Sequence, residues 1–286
     1  MPFDQPLPIA DAVSRAVAAV TERHADAFDA FATAVEHGID ALQGALLWLP
    51  PPVFIALTAL LVLLARGPRR VAAWALVAFT TLGLALVWNL GYWQAMLQTL
   101  ALVLAAELLV LLIGLPLGIA SANSRVLDRL LRPLLDVMQT MPAFVYLVPA
   151  VLFFGLGVVP ALLSTTVFAL PPLVRLTALG VRQVPRELVE ATQSFGATGW
   201  QLLLKVQLPS ARASILAGIN QSIMLGLSMV VIAAMIGAGG LGNVVLQGIT
   251  QLDVGRGFVG GLCVVILAVV LDRVTEALGR ADKERR

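Results

Sequence analysis

The sequence predicts an all-α, polytopic helical membrane protein of about seven spans, with its N-terminus outside and its C-terminus inside. Three observations carry this. Of 286 residues, 59% are hydrophobic and only 13% charged, where an ordinary soluble domain has about 25% Asp, Glu, Lys and Arg. Several uninterrupted apolar runs reach the roughly 18 residues that mark a candidate membrane helix, and the mean hydropathy of +0.92 agrees. The 19 Lys and Arg residues gather in alternate connections, as they do in cytoplasmic loops. A soluble two-domain enzyme does not fit, and the net charge of +2 reflects membrane orientation rather than affinity for nucleic acid.

Residues 1–48 read as an exported, periplasmic tail. Its seven acids, Asp4, Asp11, Glu22, Asp26, Asp29, Glu36 and Asp40, face only Arg15 and Arg23. Val13, Val17, Val20, Phe28, Phe31, Val35, Ile39 and Leu42 recur near helical spacing, which predicts an amphipathic helix on the outer membrane surface. The start lacks the basic and apolar stretches of a cleaved signal peptide.

Residues 49–93 supply two spans, at 53–65 and 71–88. The first opens on Pro50, Pro51 and Pro52, which an entry turn tolerates because no intrahelical N–H is needed there. Trp48, Trp88, Tyr92 and Trp93 form an expected aromatic belt at the outer interface. Residues 94–279 supply five more runs, at 100–120, 137–154, 159–179, 215–235 and 258–271, and 280–286 form a cytoplasmic tail. The last run is short, but Asp272 and Arg273 can snorkel to the interface. On this topology sixteen of the 19 basic residues lie inside, and only Arg15, Arg23 and Arg256 outside.

The longest internal connection, 182–212, is where the sequence becomes specific. Pro185 opens a short helix and Gly196 ends it in a left-handed cap. Thr198, followed three residues on by Gln201, makes a capping box. A second helix starts there and is expected to end at Pro209. The resulting elbow offers Leu188, Ala191, Phe195, Trp200 and Leu204 as apolar anchors, either to a partner groove or to the membrane surface. A DNA-binding helix-turn-helix is excluded, because both ends are tethered to spans and four basic residues are set against two acids.

The order Glu190-Ala191-Thr192, then Gly196, then Leu208-Pro209 resembles the EAA signature of the membrane subunits of bacterial ABC importers, with the same thirteen-residue step from glycine to proline. Thr192 stands where that signature has a second Ala. The stretches IGLPLGIA (113–120), RPLLDVMQTMPAFVYLVPAVLFFGLG (132–157), FALPPLVRLTALGVRQVP (168–185), SFGAT (194–198), KVQLP (205–209) and LSMVVIAAMIGAGGLG (227–242) resemble the permease of the glycine betaine/proline betaine (choline) importers over about 94–279. The resemblance implies a type I importer transmembrane domain in the inner membrane, embedded in lipid and paired as a homodimer. It also implies a coupling helix, with Glu190, Ala191, Thr192, Gly196, Trp200, Leu208 and Pro209, that docks on a separate ATP-binding cassette ATPase subunit holding ATP and Mg. An extracytoplasmic substrate-binding protein would deliver the quaternary amine, and transport would proceed by alternating access.

The residues agree that energy enters from elsewhere. Lys205 and Lys283 are the only lysines, and neither has the Gly-x-x-x-x-Gly-Lys-Ser/Thr frame of a P-loop. The chain is therefore expected to be a transport subunit rather than an enzyme, with no cofactor of its own. The Gly-rich run 237–242 reads as a flexible or re-entrant turn. Cys263 lies in an apolar run, and His24 and His37 have no companion at ligand spacing, so no metal site is expected.

For the pathway, Ser214, Gly218, Gln221 and Ser228 lie near one stripe of the sixth span, with Asn220 and Ser222 beside it. Such polar groups at membrane depth face either a wetted path or another helix. Gln139 and Thr140, ahead of Pro142, mark an expected helix break, where freed carbonyls line a cavity or lie buried in protein. Tyr146 leads the few aromatics of the inner spans, with Phe144, Phe153, Phe154 and Phe168, and quaternary ammonium groups are held by aromatic rings. Two alternatives stay open: an ABC permease for an amino acid or other osmolyte, and a secondary transporter or channel in which Glu107 or Gln139 handles a coupling ion.

Overall fold

The computed structural model describes residues 9–66 and 71–281, with side chains for 14, 15, 17–64 and 73–276. Arg69, Arg70, Lys283, Arg285 and Arg286, used above to orient the chain, lie outside the described residues. The helices are α1 (Ile9–Arg23), α2 (Ala25–Leu47), α3 (Pro51–Arg66), α4 (Val71–Asn89), α5 (Trp93–Asn123), α6 (Arg125–Thr140), α7 (Ala143–Phe154), α8 (Val158–Arg182), α9 (Arg186–Ser194), α10 (Gly199–Leu202), α11 (Leu208–Ala233), α12 (Gly240–Thr250) and α13 (Val254–Ala281). No strand occurs among the described residues.

Four helical stretches are long and apolar enough to cross a membrane: Trp93–Asn123, Val158–Arg182, Gly199–Ile236 and Val254–Glu276. The count rises to six if the bent pairs α2–α3 and α6–α7 each make one span. α4 is a shorter apolar helix.

α8 is the centre of the bundle, packed between α5 and α11. Close approach is possible because small residues meet at both faces. A Cβ on Gly118 of α5 would stand 2.6 Å from Cβ of Thr177 on α8, and one on Gly180 of α8 would stand 2.8 Å from Cβ of Ser214 on α11. Around this sandwich a larger core joins Met96, Leu97 and Leu100 of α5 to Leu227 and Val230 of α11, Leu241 of α12 and Leu267 of α13. Cys263 is buried in the same core.

Several expectations change, and one is sharpened. The fourth apolar run does break at Pro142, and the break is a sharp bend in which α6 and α7 meet at 101°. Pro142 has no N–H to continue the ladder, and the residue before it, Met141, is forced into an extended conformation (φ −70°, ψ 134°). Pro209 does not end the second elbow helix. A π turn over Leu203–Gln207 takes up the strain, and Pro209 enters the first turn of α11, where its missing N–H costs least.

The tail is two helices rather than one, interrupted at His24 (φ −125°, ψ 24°). Part of the apolar face of α2 is turned to protein instead of lipid: Phe28 stacks on Phe153 at 5.7 Å, Phe31 meets Phe154 at 5.6 Å, and Ile39 is buried in the main core. Trp93 leaves the expected aromatic belt. It is 8% exposed and packs edge-on against Phe54 of α3 at 5.5 Å, whereas Trp48 and Trp88 remain exposed.

The Gly-rich run is an ordered turn. Gly237, Gly239 and Gly240 take positive φ, and side chains of α5 satisfy the first N–H groups of α12: Gly240 donates to Oε1 of Gln98 (3.1 Å) and Leu241 to Oγ1 of Thr99 (2.8 Å).

Gly118→Leu is expected to cost at least ~1–3 kcal/mol by overpacking the α5–α8 contact. A thermal midpoint in mild detergent unchanged from the parent protein would contradict the close approach described here.

Candidate functional site

The elbow begins where α8 ends at Arg182 and Pro185 caps α9. Val184 in this connection is buried. Within α9, the hydroxyls of Thr192 and Ser194 return to the carbonyls of Leu188 (2.6 Å) and Glu190 (2.9 Å). Gly196 sits at φ +79°, a conformation that a side chain would strain. There the N–H groups of Gly196 and Ala197 close the helix on the carbonyls of Gln193 (2.9 Å) and Thr192 (3.3 Å). Thr198 and Gln201 form the capping box in both directions: Gln201 N–H donates to Thr198 Oγ1 (3.3 Å), and Thr198 N–H donates to Gln201 Oε1 (2.8 Å).

This rigid turn carries an apolar tip. Phe195 is 93% exposed and Trp200 72%, flanked by exposed Leu188 and Leu204, while Leu202 is buried. Glu190 and Ala191 are exposed on α9, whereas Leu208 and Pro209 are half-buried at the start of α11. Glu190 also shares a cleft of about 420 Å³ with Asn123, Arg182, Arg186, Gln193 and Gln207.

The six residues predicted for the pathway do not form one cluster. Gln139 and Thr140 are exposed at the α6–α7 break. Tyr146 is buried, donates its hydroxyl to the Met138 carbonyl across that break, and packs edge-on against Phe168 of α8 at 5.6 Å. Its own carbonyl accepts from Ser164 of α8 at 3.1 Å. Tyr146 therefore braces the break. Asn220 is taken up by α13, donating to Asp272 (2.7 Å) and accepting from Thr275 (3.3 Å). Gln221 and Ser228 are exposed on α11. Glu107 on α5 lies 2.7 and 2.8 Å through its two oxygens from the hydroxyl of Ser222 on α11.

Residues 114–281 match the family model described as binding-protein-dependent transport system inner membrane component. The chain belongs to this family. Three relatives align over nearly all of this permease. The glycine betaine/carnitine transport permease protein GbuB of Listeria monocytogenes is 47% identical, covering 99% of both chains. The glycine betaine transport system permease protein OpuAB of Bacillus subtilis is 45% identical, over 98% of this chain and 97% of its own. The glycine betaine/proline betaine transport system permease protein ProW of Escherichia coli is 47% identical, over 99% of this chain and 79% of its own. A solved inward-facing structure of the MetNI methionine ABC transporter shares the fold, with a TM-score of 0.60 and 24% identity over 64% of this chain and 92% of that one. The permease is thus a multi-pass inner-membrane subunit of ABC type.

One group of residues escaped the sequence reading. At the elbow end of the bundle, Arg182 at the end of α8 pairs with Asp128 of α6 (2.6 Å), which also takes Arg132 (2.8 Å). Two turns along α6, Asp136 pairs with Arg175 of α8 at 2.5 Å. Asp128 lies outside the apolar runs, in the first turn of α6. The hydrogen bond from Arg182 holds its carboxyl at about 2 against the opposing effect of partial burial, and Arg132 and Ser121 add to the lowering. A signal was present: Asp128 and Asp136 are the only acids between Glu107 and Glu187, spaced to meet Arg182 and Arg175 on an antiparallel helix.

Thr198→Ala removes one arm of the capping box and is expected to cost about 1 kcal/mol locally. Amide exchange at Trp200 and Gln201 should then quicken about fivefold, and unchanged protection there would refute the cap's role.

Proposed function

We propose that this permease forms the membrane path of an ATP-driven importer for quaternary-amine compatible solutes such as glycine betaine, proline betaine and choline. The observation that carries the coupling half of this reading is the exposed pair Phe195 and Trp200. They stand on a doubly capped elbow, outside every stretch apolar enough to cross a membrane except the extreme start of Gly199–Ile236. Large apolar groups held rigidly in a polar segment suit a helix-in-groove contact, and buried aromatic anchors dominate such interfaces. The partner is an ATP-binding cassette ATPase, which binds ATP and Mg. Glu190, Ala191, Thr192 and Gly196 shape the docking helix, and Leu208 and Pro209 join it to α11. An extracytoplasmic binding protein delivers the solute, and two copies of the permease enclose the path.

The substrate class is supported by the names of the three full-length relatives. Gln139, Thr140, Tyr146, Asn220, Gln221 and Ser228 are the residues proposed for the path, with Tyr146 and Asn220 acting from behind it through the helices that they brace. The engagement of Glu107 by Ser222 supports a helix-joining role for this carboxylate over ion coupling. The remaining topology is proposed as read from the sequence: about seven spans, the tail 1–48 outside, spans in 49–93, the transport domain over 94–279 with its loop 182–212 inside, and the end 280–286 in the cytoplasm.

The test uses the whole transporter, with ATPase and binding protein, in liposomes. Trp200→Ala and Gly196→Val are expected to lower betaine uptake per ATP hydrolysed at least tenfold, and labelled glycine betaine should be taken up in preference to methionine. Full coupling in both variants would overturn the docking role, and uptake of methionine instead of betaine would overturn the substrate class.

A further inference from the structure

Two kinds of contact hold α8 in the bundle. Along α5 and α11 it is packed through small residues at near-minimum distance. Toward α6 the middle of the contact is open: a cavity of about 400 Å³ lies between Leu131 and Leu135 on one side and Val174 and Ala178 on the other. Charged side chains close its two ends, Arg182 with Asp128 and Arg175 with Asp136. An interface of this kind is held by polar pairs that can re-form, and little close-packed surface between them resists a tilt.

At the elbow end a single guanidinium gathers three helices. Nη2 of Arg182 donates to the Ser121 carbonyl in the last turns of α5 (2.7 Å) and contacts the Ser121 hydroxyl (3.3 Å). The same nitrogen is 2.6 Å from Asp128 of α6, and the Ser121 hydroxyl donates to that carboxylate at 3.0 Å. Arg182 is the last residue of α8, and only Gln183, Val184 and Pro185 separate it from α9. Val184 is buried and Pro185 has a fixed φ, so the link is short and stiff. At its far end α6 reaches the Met141–Pro142 break, with Gln139 and Thr140 exposed beside it.

We infer that Arg182 is a positioning residue that passes displacement of the elbow to the α6–α7 break through Asp128. α6 acts as a lever, pulled at Asp128 and pivoting at Met141–Pro142. The Asp136–Arg175 pair, half exposed, is a second rung that can exchange with water as the lever tilts. This inference rests on the elbow being the docking site for the ATPase.

The experiment measures uptake per ATP hydrolysed in the complete liposome-reconstituted transporter for Arg182→Gln, Asp128→Asn, the double variant, Arg182→Lys and Trp200→Ala. Each preparation is first checked for monodispersity and co-purification of the ATPase. Arg182→Gln and Asp128→Asn are each expected to lower the ratio about tenfold, with the double variant no worse than the worse single one, as for two groups that act through each other. Arg182→Lys keeps the charge without the forked geometry and should fall between Arg182→Gln and the parent. A spin label at Leu134 of α6 should shift its distance distribution on ATP addition in the parent and stay fixed in Arg182→Gln. Multiplying losses in the double variant, or an ATP-dependent shift preserved in Arg182→Gln, would overturn the lever. If Trp200→Ala uncouples while Arg182→Gln and Asp128→Asn do not, only the lever fails. If Trp200→Ala leaves both coupling and assembly intact, the docking reading itself fails.

Discussion

The architecture depends on how closely α8 can be approached from both sides. Gly118 lets α5 lie against Thr177 of α8, and Gly180 lets α8 lie against Ser214 and Ala211 of α11. In lipid, where apolar surface gains little by leaving its surroundings, such contacts hold helices together by dispersion and fit. A sandwich of this tightness moves as one body. Whatever changes shape during transport must therefore be attached to it more loosely.

Two attachments meet that description. The broken pair α6–α7 turns through 101° at Pro142 and is held to α8 by charges and by the braced Tyr146. The elbow is rigid within itself, closed by Gly196 and by the Thr198–Gln201 box, but stands clear of the bundle at its tip. Pivoting lever, firm body and exposed handle follow one another along the chain from Asn123 to Leu208, and Arg182 is where they touch.

Much of this was legible in the sequence, and the failures have common causes. Spans came from runs of apolar residues, and the elbow from Pro185, Gly196, Thr198 and Gln201, because caps and turns are local chemistry. Pro142 was visible as a break, although the size of the bend was not. Pro209 misled because proline stops a helix only when its neighbours cannot rearrange, and a widened turn over Leu203–Gln207 let the chain continue. The tail misled because an amphipathic face does not say whether lipid or protein covers it, and Phe153 and Phe154 lie more than a hundred residues away. Polar residues on α11 were read as facing either a path or another helix; Asn220 and Ser222, beside the stripe, meet Asp272 and Glu107 on other helices, partners that helical periodicity cannot reveal. The Arg182 group was hidden for the same reason, being assembled from three helices.

The widened turn at Leu203–Gln207 has a rotational consequence. An α-helix advances about 100° per residue, and a π turn accommodates one residue more than an α-turn in the same stretch. The direction in which Trp200 points is therefore phased against the faces of α11 by a single residue of slack. Shortening that segment by one residue would leave every cap and every apolar anchor in place, yet aim the tip of the elbow toward a different side of the molecule.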